Sequence, residues 1–148
     1  VIAAWLQRAC PAVDLVIGPD VESEPWVRQV ATLLGAEHRL FAKTRLGDSH
    51  VSLALQNPAD VAGRTAALVD DICSSGGTLI KAAEALKAAG ARDIVACVTH
   101  ALFDAETERK LRAAGVSLIA STDSVIHPTN AVSLAPLLAN ALRAETAP

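Results

Sequence analysis

The 148-residue sequence predicts a three-layer α/β sandwich with a mainly parallel central sheet. Two observations carry that reading. Strand-sized apolar runs alternate with helical stretches along the whole chain, and glycines repeatedly close a helix just before the next run. Parallel neighbours need crossovers of this kind, because a tight hairpin joins only antiparallel strands. The length fits one domain, in which roughly 70% of the unfolded chain's surface becomes buried. With 51% hydrophobic and 20% charged residues, the chain has the apolar surface to form that core.

The elements follow in order. The chain opens on "VIAAWLQRA", where Val1, Ala4 and Leu6 with Trp5 read as the interior of an amphipathic helix. Such a start, in a chain without methionine, leads us to expect the C-terminal half of a longer protein. "DLVIG" (14–18) is a buried strand closed by Gly18 and Pro19. The next helix, "SEPWVRQVATLLG", has Ser23 as candidate N-cap and Pro25 in its first turn, and Gly35 stops it. "HRLFAK" (38–43) is a strand, "TRLGDSH" (44–50) a polar loop, and "VSLALQ" (51–56) shows period-two alternation.

The second half repeats the grammar. A strand over 65–70 precedes a helix over 78–90; a strand over 93–100 precedes a helix over 104–115; a strand over 117–121 comes next, and a last helix runs from about Ser133 to Leu142. In such a sheet, ligands bind beyond the C-terminal ends of the strands. Asp20, Lys43, Arg45, the stretch 70–78, His100 and Asp123 all fall there.

The richest of these stretches is "LVDDICSSGGT" (68–78). Backbone N–H groups converging before a helix N-terminus suit a phosphate, and Gly76 and Gly77 remove side chains that would keep it away. Ser74, Ser75 and Thr78 add hydroxyl donors, unless they merely cap the helix. Asp70 and Asp71 offer only acceptors, so beside a phosphate they need hydroxyls or a metal to face. A sugar phosphate satisfies both requirements. Adjacent strand residues point to opposite faces, so both acids reach one ligand only where the strand has begun to turn; otherwise one of them holds a neighbouring element.

Other features narrow the class. A net charge of -3 with no basic excess argues against nucleic acid and anionic membranes, and the apolar runs are too short to span a bilayer. Cys10, Cys73 and Cys97 are odd in number and scattered, which suits reduced thiols in a cytoplasm. Cys73 reads as a small buried filler, and Trp5 and Trp26 as core or interface residues. His38, His50, His100 and His127 lack metal-ligand spacing with the cysteines, and a structural or capping role is favoured for His100.

An apolar strand, "DD", two variable residues and a Ser-Gly-Gly-Thr loop together resemble the phosphoribosyl diphosphate signature of type I phosphoribosyltransferases. By that resemblance Asp70 and Asp71 would receive the ribose 2- and 3-hydroxyls, and Ser74, Ser75, Gly76, Gly77 and Thr78 would hold the 5-phosphate. "LVIGPD", "KTR", "VACVTH" and "SLAPLLANAL", in that order, look like the C-terminal half of the ribose-phosphate diphosphokinase family. The resemblance implies transfer of a diphosphoryl group from ATP to ribose 5-phosphate, Mg2+ as cofactor, a cytoplasmic homo-oligomer of at least two subunits, and a fragment that need not turn over alone. Lys43 and Arg45 match the family's mobile-loop Lys-x-Arg, which would close over the transferring phosphates. Asp20 corresponds to the acid that opens the diphosphate loop. Here "PDVESEPW" lacks the family's glycine and carries Glu22 instead, and Ser74 replaces a common acid, as in the archaeal-type branch. Two alternatives stay open: a nucleobase phosphoribosyltransferase, and a noncatalytic homologue that binds the sugar phosphate as a signal.

Overall fold

The computed structural model describes residues 1–45, 51–55 and 58–146. Its elements are α1 (Ile2–Ala9), β1 (Leu15–Gly18), α2 (Glu24–Leu34), β2 (Glu37–Arg45), β3 (Val51–Leu55), β4 (Thr65–Cys73), α3 (Gly77–Ala88), β5 (Asp93–Ala101), α4 (Ala105–Ala113), β6 (Leu118–Thr122), β7 (Asn130–Val132) and α5 (Ala135–Thr146). The strands form a seven-stranded sheet in the order β3-β2-β1-β4-β5-β6-β7. All neighbours pair parallel except β2 and β3, which form an antiparallel edge hairpin from Phe41↔Leu55 to Arg45↔Val51. The mainly parallel sandwich expected from the sequence is therefore the fold, with one reversed edge.

Alternation along the buried strands builds two apolar layers. Ala66 and Leu68 of β4 and Ile94, Ala96 and Val98 of β5 join the layer beneath α3 and α4, with Leu79, Leu86 and Leu111. Ala67, Val69, Val95 and Cys97 face the opposite layer, under α1 and α2, with Leu6, Val27 and Ala31. Because both faces of the central strands are covered, their sequences read as unbroken apolar runs.

Several boundaries differ from those expected. Thr44 and Arg45 are strand rather than loop, because the hairpin ladder runs through them. The remainder of that expected loop, 46–50, lies outside the described residues. β4 continues past Asp70 to Cys73, where β5 pairs with it through Ile72↔His100 and Cys73↔Ala101. The three-residue β7 is too short to leave a periodic signal. In α1 the core face holds Ala3 and Leu6 rather than Ala4, since three-residue spacing back from Leu6 reaches position 3.

The turn after β1 is also built differently. Ser23 does not cap α2 with its side chain; instead Asp20 Oδ1 accepts the Ser23 N–H at 3.3 Å, and the Ser23 hydroxyl donates to the Asp20 carbonyl. This presses fully buried Ser23 onto the end of β1. A Cβ at Gly18 would overlap Ser23 Oγ and come within 2.7 Å of Leu40 Cδ2, so only glycine fits. The "DVES" turn thus takes its close approach from Gly18, before the acid.

Charge pairing at the opposite edge of the sheet leaves the ligand edge distinct. Arg64 binds Asp14 and Glu37 beside the N-terminal ends of the strands, and Arg39 binds Glu37 and Asp60. Glu37 is held below the ordinary carboxylate range by those hydrogen bonds, from Arg64 first and Arg39 second.

Candidate sugar-phosphate site

The expected acids and glycines converge at the C-terminal end of β4. Alternation would send Asp70 towards the α3 layer and Asp71 towards the α1 layer. It then slips: Leu68 and Cys73 both join the α3 layer although they are five positions apart, and Val98 and Ala101 of β5 do the same at three positions apart. The two central strands turn together at this level. Of the two carboxylates, Asp70 lines the hollow beside the glycine loop and Asp71 is exposed.

Asp70 Oδ1 accepts the Asp71 N–H at 3.0 Å, and Asp71 Oδ1 accepts the Ile72 N–H at 2.7 Å. Asp70 is half-buried and Asp71 exposed. Burial, followed by the neighbouring negative charges of Asp71 and Asp20, pushes Asp70 up to about 7, partly offset by the Asp71 N–H. A carboxyl so placed gains from any donor or cation that arrives.

The glycine loop begins immediately beyond. Gly76 takes the N-cap position of α3 with φ +69°, and among the described residues no side chain caps this helix. The first-turn N–H groups therefore lack the intrahelical and side-chain partners that would compete with an anion. Among the described residues no hydrogen bond from these N–H groups to the Ser74, Ser75 or Thr78 side chain is found. A Cβ on Gly77 would meet nothing nearer than Ser75 Oγ at 3.8 Å, so this glycine faces open space. Asp70 and residues 72–79 line a hollow of about 70 Å³. A wider hollow of about 640 Å³ lies between α3 and α4, with Ile80, Ala88 and Ala113 on its walls. We place the site in the smaller one because the Asp70 carboxyl and the first-turn N–H groups of α3 meet there.

The remaining expected residues divide. Asp20 stands at the end of β1 and contributes to the field at Asp70, and with Val21, Glu22 and Ala42 it lines a hollow of about 200 Å³. The backbone of Lys43 and Arg45 belongs to β2, which continues beyond the level where Gly18 of β1 pairs with Leu40. Their side chains lie outside the described residues. His100 Nδ1 meets Ser124 Oγ at 2.9 Å, and Ser124 in turn donates to the Thr99 carbonyl, which fits the structural role. Asp123 is a capping residue: it accepts from Ser133 Oγ and the Leu134 N–H, each at 2.8 Å, and those bonds lower its pKa. Buried Cys73 has its thiol pushed up to about 11 by burial first and Asp70 second, as suits a filler. Among the described residues no three His, Cys, Asp or Glu side chains converge as a metal cage, and no helix is long and apolar enough to cross a membrane.

One contact had no signal in the sequence. Thr107, at the start of α4, packs its methyl group against Gly76, where a Cβ would lie 2.5 Å from Thr107 Cγ2. The pairing joins residues distant in the chain, so no local pattern reveals it.

The family model described as a phosphoribosyl transferase domain matches residues 2–142. Ribose-phosphate pyrophosphokinase of Methanopyrus kandleri is 40% identical over 142 residues, covering 95% of this chain and 48% of that protein. The crystal structure of phosphoribosylpyrophosphate synthetase from Mycobacterium smegmatis superposes with a TM-score of 0.78 at 27% identity, over 97% of this chain and 49% of that one. An adenine phosphoribosyltransferase from Giardia lamblia shares the fold at a TM-score of 0.65 and 20% identity, over 81% of this chain and 73% of its own. The chain thus spans about half the length of the curated relatives it matches.

Proposed function

The chain belongs to the phosphoribosyl transferase domain family, and from that premise we propose that it serves the transfer of a diphosphoryl group from ATP to ribose 5-phosphate. The observation that carries the reading is the two-ended site: carboxylates at the turn of β4, then uncapped N–H groups at the start of α3. Relatives named ribose-phosphate pyrophosphokinase, 30% to 40% identical, support it.

In this reading Asp70 and Asp71 accept hydrogen bonds from the ribose 2- and 3-hydroxyls, while Ser74, Ser75, Gly76, Gly77 and Thr78 surround the 5-phosphate. The sugar's 1-hydroxyl oxygen attacks the β-phosphorus of ATP; a new O–P bond forms, the bridge to the α-phosphate breaks, and AMP leaves. Negative charge builds on the transferring oxygens, so cationic groups matter more than a nucleophile. Lys43 and Arg45 supply that charge, carried on a hairpin that reaches past the end of β1. Asp20 faces the diphosphate. Mg2+ suits hard carboxylate oxygens and needs only one or two of them from the protein, so Asp20 and Asp70 would hold it. Bound there, it would neutralise charge on the phosphates. The active protein is a homo-oligomer of at least two subunits.

The test is AMP release from ATP with ribose 5-phosphate and Mg2+, by the intact protein containing this chain, beside ribose 5-phosphate binding by the chain itself. AMP formation that requires ribose 5-phosphate is the expected result. Binding without any AMP would sink diphosphoryl transfer and leave the sugar-phosphate regulator standing.

A further inference from the structure

The segment joining β5 to α4 and the first turn of α4 each support the glycine loop at one point. The Leu102 N–H donates to the Cys73 carbonyl at 2.8 Å, where the loop begins, and the Thr107 methyl rests against Gly76 in its middle. Phe103 lies between these supports and is 5% exposed. It lies two residues beyond Ala101, the last residue of β5, and precedes Asp104, whose Oδ1 caps α4 by accepting the Thr107 N–H at 2.8 Å.

Phe103 is held by a histidine from the turn between β6 and β7. His127 Nε2 lies 2.9 Å from the Phe103 carbonyl, and the two rings pack with centroids 4.4 Å apart, tilted by 59°. The other nitrogen fixes the tautomer. The Thr129 N–H donates to Nδ1 at 3.2 Å, so Nδ1 accepts and Nε2 carries the hydrogen that Phe103 receives. With Nδ1 an acceptor, the Thr129 hydroxyl at 2.7 Å is a donor to it. The histidine is itself anchored: its backbone N–H donates to Asn130 Oδ1 at 2.9 Å, and Asn130 Nδ2 donates to Ser121 Oγ at 2.9 Å on β6. A continuous set of hydrogen bonds therefore runs from β6 through His127 to the residue between the loop's two supports.

We propose that His127 is a positioning residue for the phosphate-binding loop, acting through Phe103 on Leu102 and Thr107. Loop N–H groups bind an anion well when they are fixed before it arrives, since ordering them on binding costs affinity. His127 touches no ligand in this arrangement. The identity of the sugar phosphate rests on the function proposed above, whereas the mechanical coupling does not.

The experiment compares His127→Ala with His127→Gln. Glutamine retains a donor long enough to reach the Phe103 carbonyl. Titration with inorganic phosphate and with ribose 5-phosphate reads the loop's affinity; amide exchange at Leu102 and at Ile80, whose N–H donates to the Gly76 carbonyl at 2.8 Å, reads its position without ligand. His127→Ala is expected to weaken both ligands about fivefold and to speed both amides about fivefold, the worth of one lost hydrogen bond, with recovery in His127→Gln. Global destabilisation alone would leave the phosphate affinity of the folded protein unchanged. Unaltered affinity and exchange in folded His127→Ala, or a glutamine variant as weak as alanine, would overturn the proposal. Should the alanine variant not fold, His127→Asn keeps the acceptor for Thr129 but falls short of Phe103, and the same comparison applies. If the parent binds inorganic phosphate but not ribose 5-phosphate, the proposed function fails while the exchange and phosphate measurements still decide the role of His127.

Discussion

Asp70→Asn is expected to melt at a higher temperature than the parent near about pH 8 and to bind ribose 5-phosphate about a hundredfold more weakly. The two effects share one cause. Asp70 sits half out of water beside Asp71 and Asp20, so its charged form is disfavoured and its pKa rises from 3.8 to about 7. Between those values the folded chain keeps a proton that the unfolded chain has released. Stability from this group is therefore fully present below the unfolded value and is lost as pH rises through about 7. An amide does not titrate, so the melting advantage of the variant should grow from about pH 4 to about pH 7 and then level off. Binding runs the other way: the ionised carboxylate accepts hydrogen bonds from sugar hydroxyls more strongly than a neutral amide. Parent affinity should accordingly fall as pH drops below about 7. A melting difference that is equal at both ends of this range, or an unchanged dissociation constant, would contradict the assignment. A carboxyl that costs stability, at the position proposed to hold the sugar, is the kind of local conflict expected at a functional site.

Much of this arrangement is legible in the chain because the relevant signals are local. Apolar runs of strand length identify β1, β4, β5 and β6, and the motif over 68–78 contains both ends of the proposed ligand. What escapes sequence reading depends on pairing between distant segments. The reversal of β3 is set by the hairpin ladder with β2, and alternation alone is silent on strand direction. The extension of β4 to Cys73 is stabilised by β5 alongside, so a pair of acids that looks like the end of a strand lies within one. Asp123 shows the converse. Its place after β6 made it a candidate at the ligand edge, yet its carboxylate is spent on Ser133 and Leu134 at the start of α5. The contacts of Thr107 with Gly76 and of His127 with Phe103 lie wholly in tertiary structure.

The adjacent glycines of the loop should separate cleanly when each is replaced by alanine. Gly76 sits at φ +69°, a conformation that costs an L-residue about 1–2 kcal/mol. A Cβ there also meets Thr107 Cγ2 at 2.5 Å, and Thr107 is β-branched, 8% exposed and tied by its N–H to Asp104, so the neighbour has little freedom to retreat. Overpacking of this kind adds about 1–3 kcal/mol. Gly76→Ala should therefore lose about 2–5 kcal/mol in denaturant unfolding. Thr107→Ser removes the offending methyl while keeping the residue's N–H, so Gly76→Ala/Thr107→Ser should recover the steric share and leave the backbone share. A double-mutant cycle without coupling between these positions would show that the close approach is not what the glycine provides. Gly77 has no positive φ to maintain and nothing within 3.8 Å of its missing Cβ, so Gly77→Ala should leave stability nearly unchanged. Its methyl group would instead project into the hollow beside the helix N–H groups and weaken phosphate binding. Gly76 then serves the fold and Gly77 the ligand, and unfolding and binding curves for the two variants would show opposite losses.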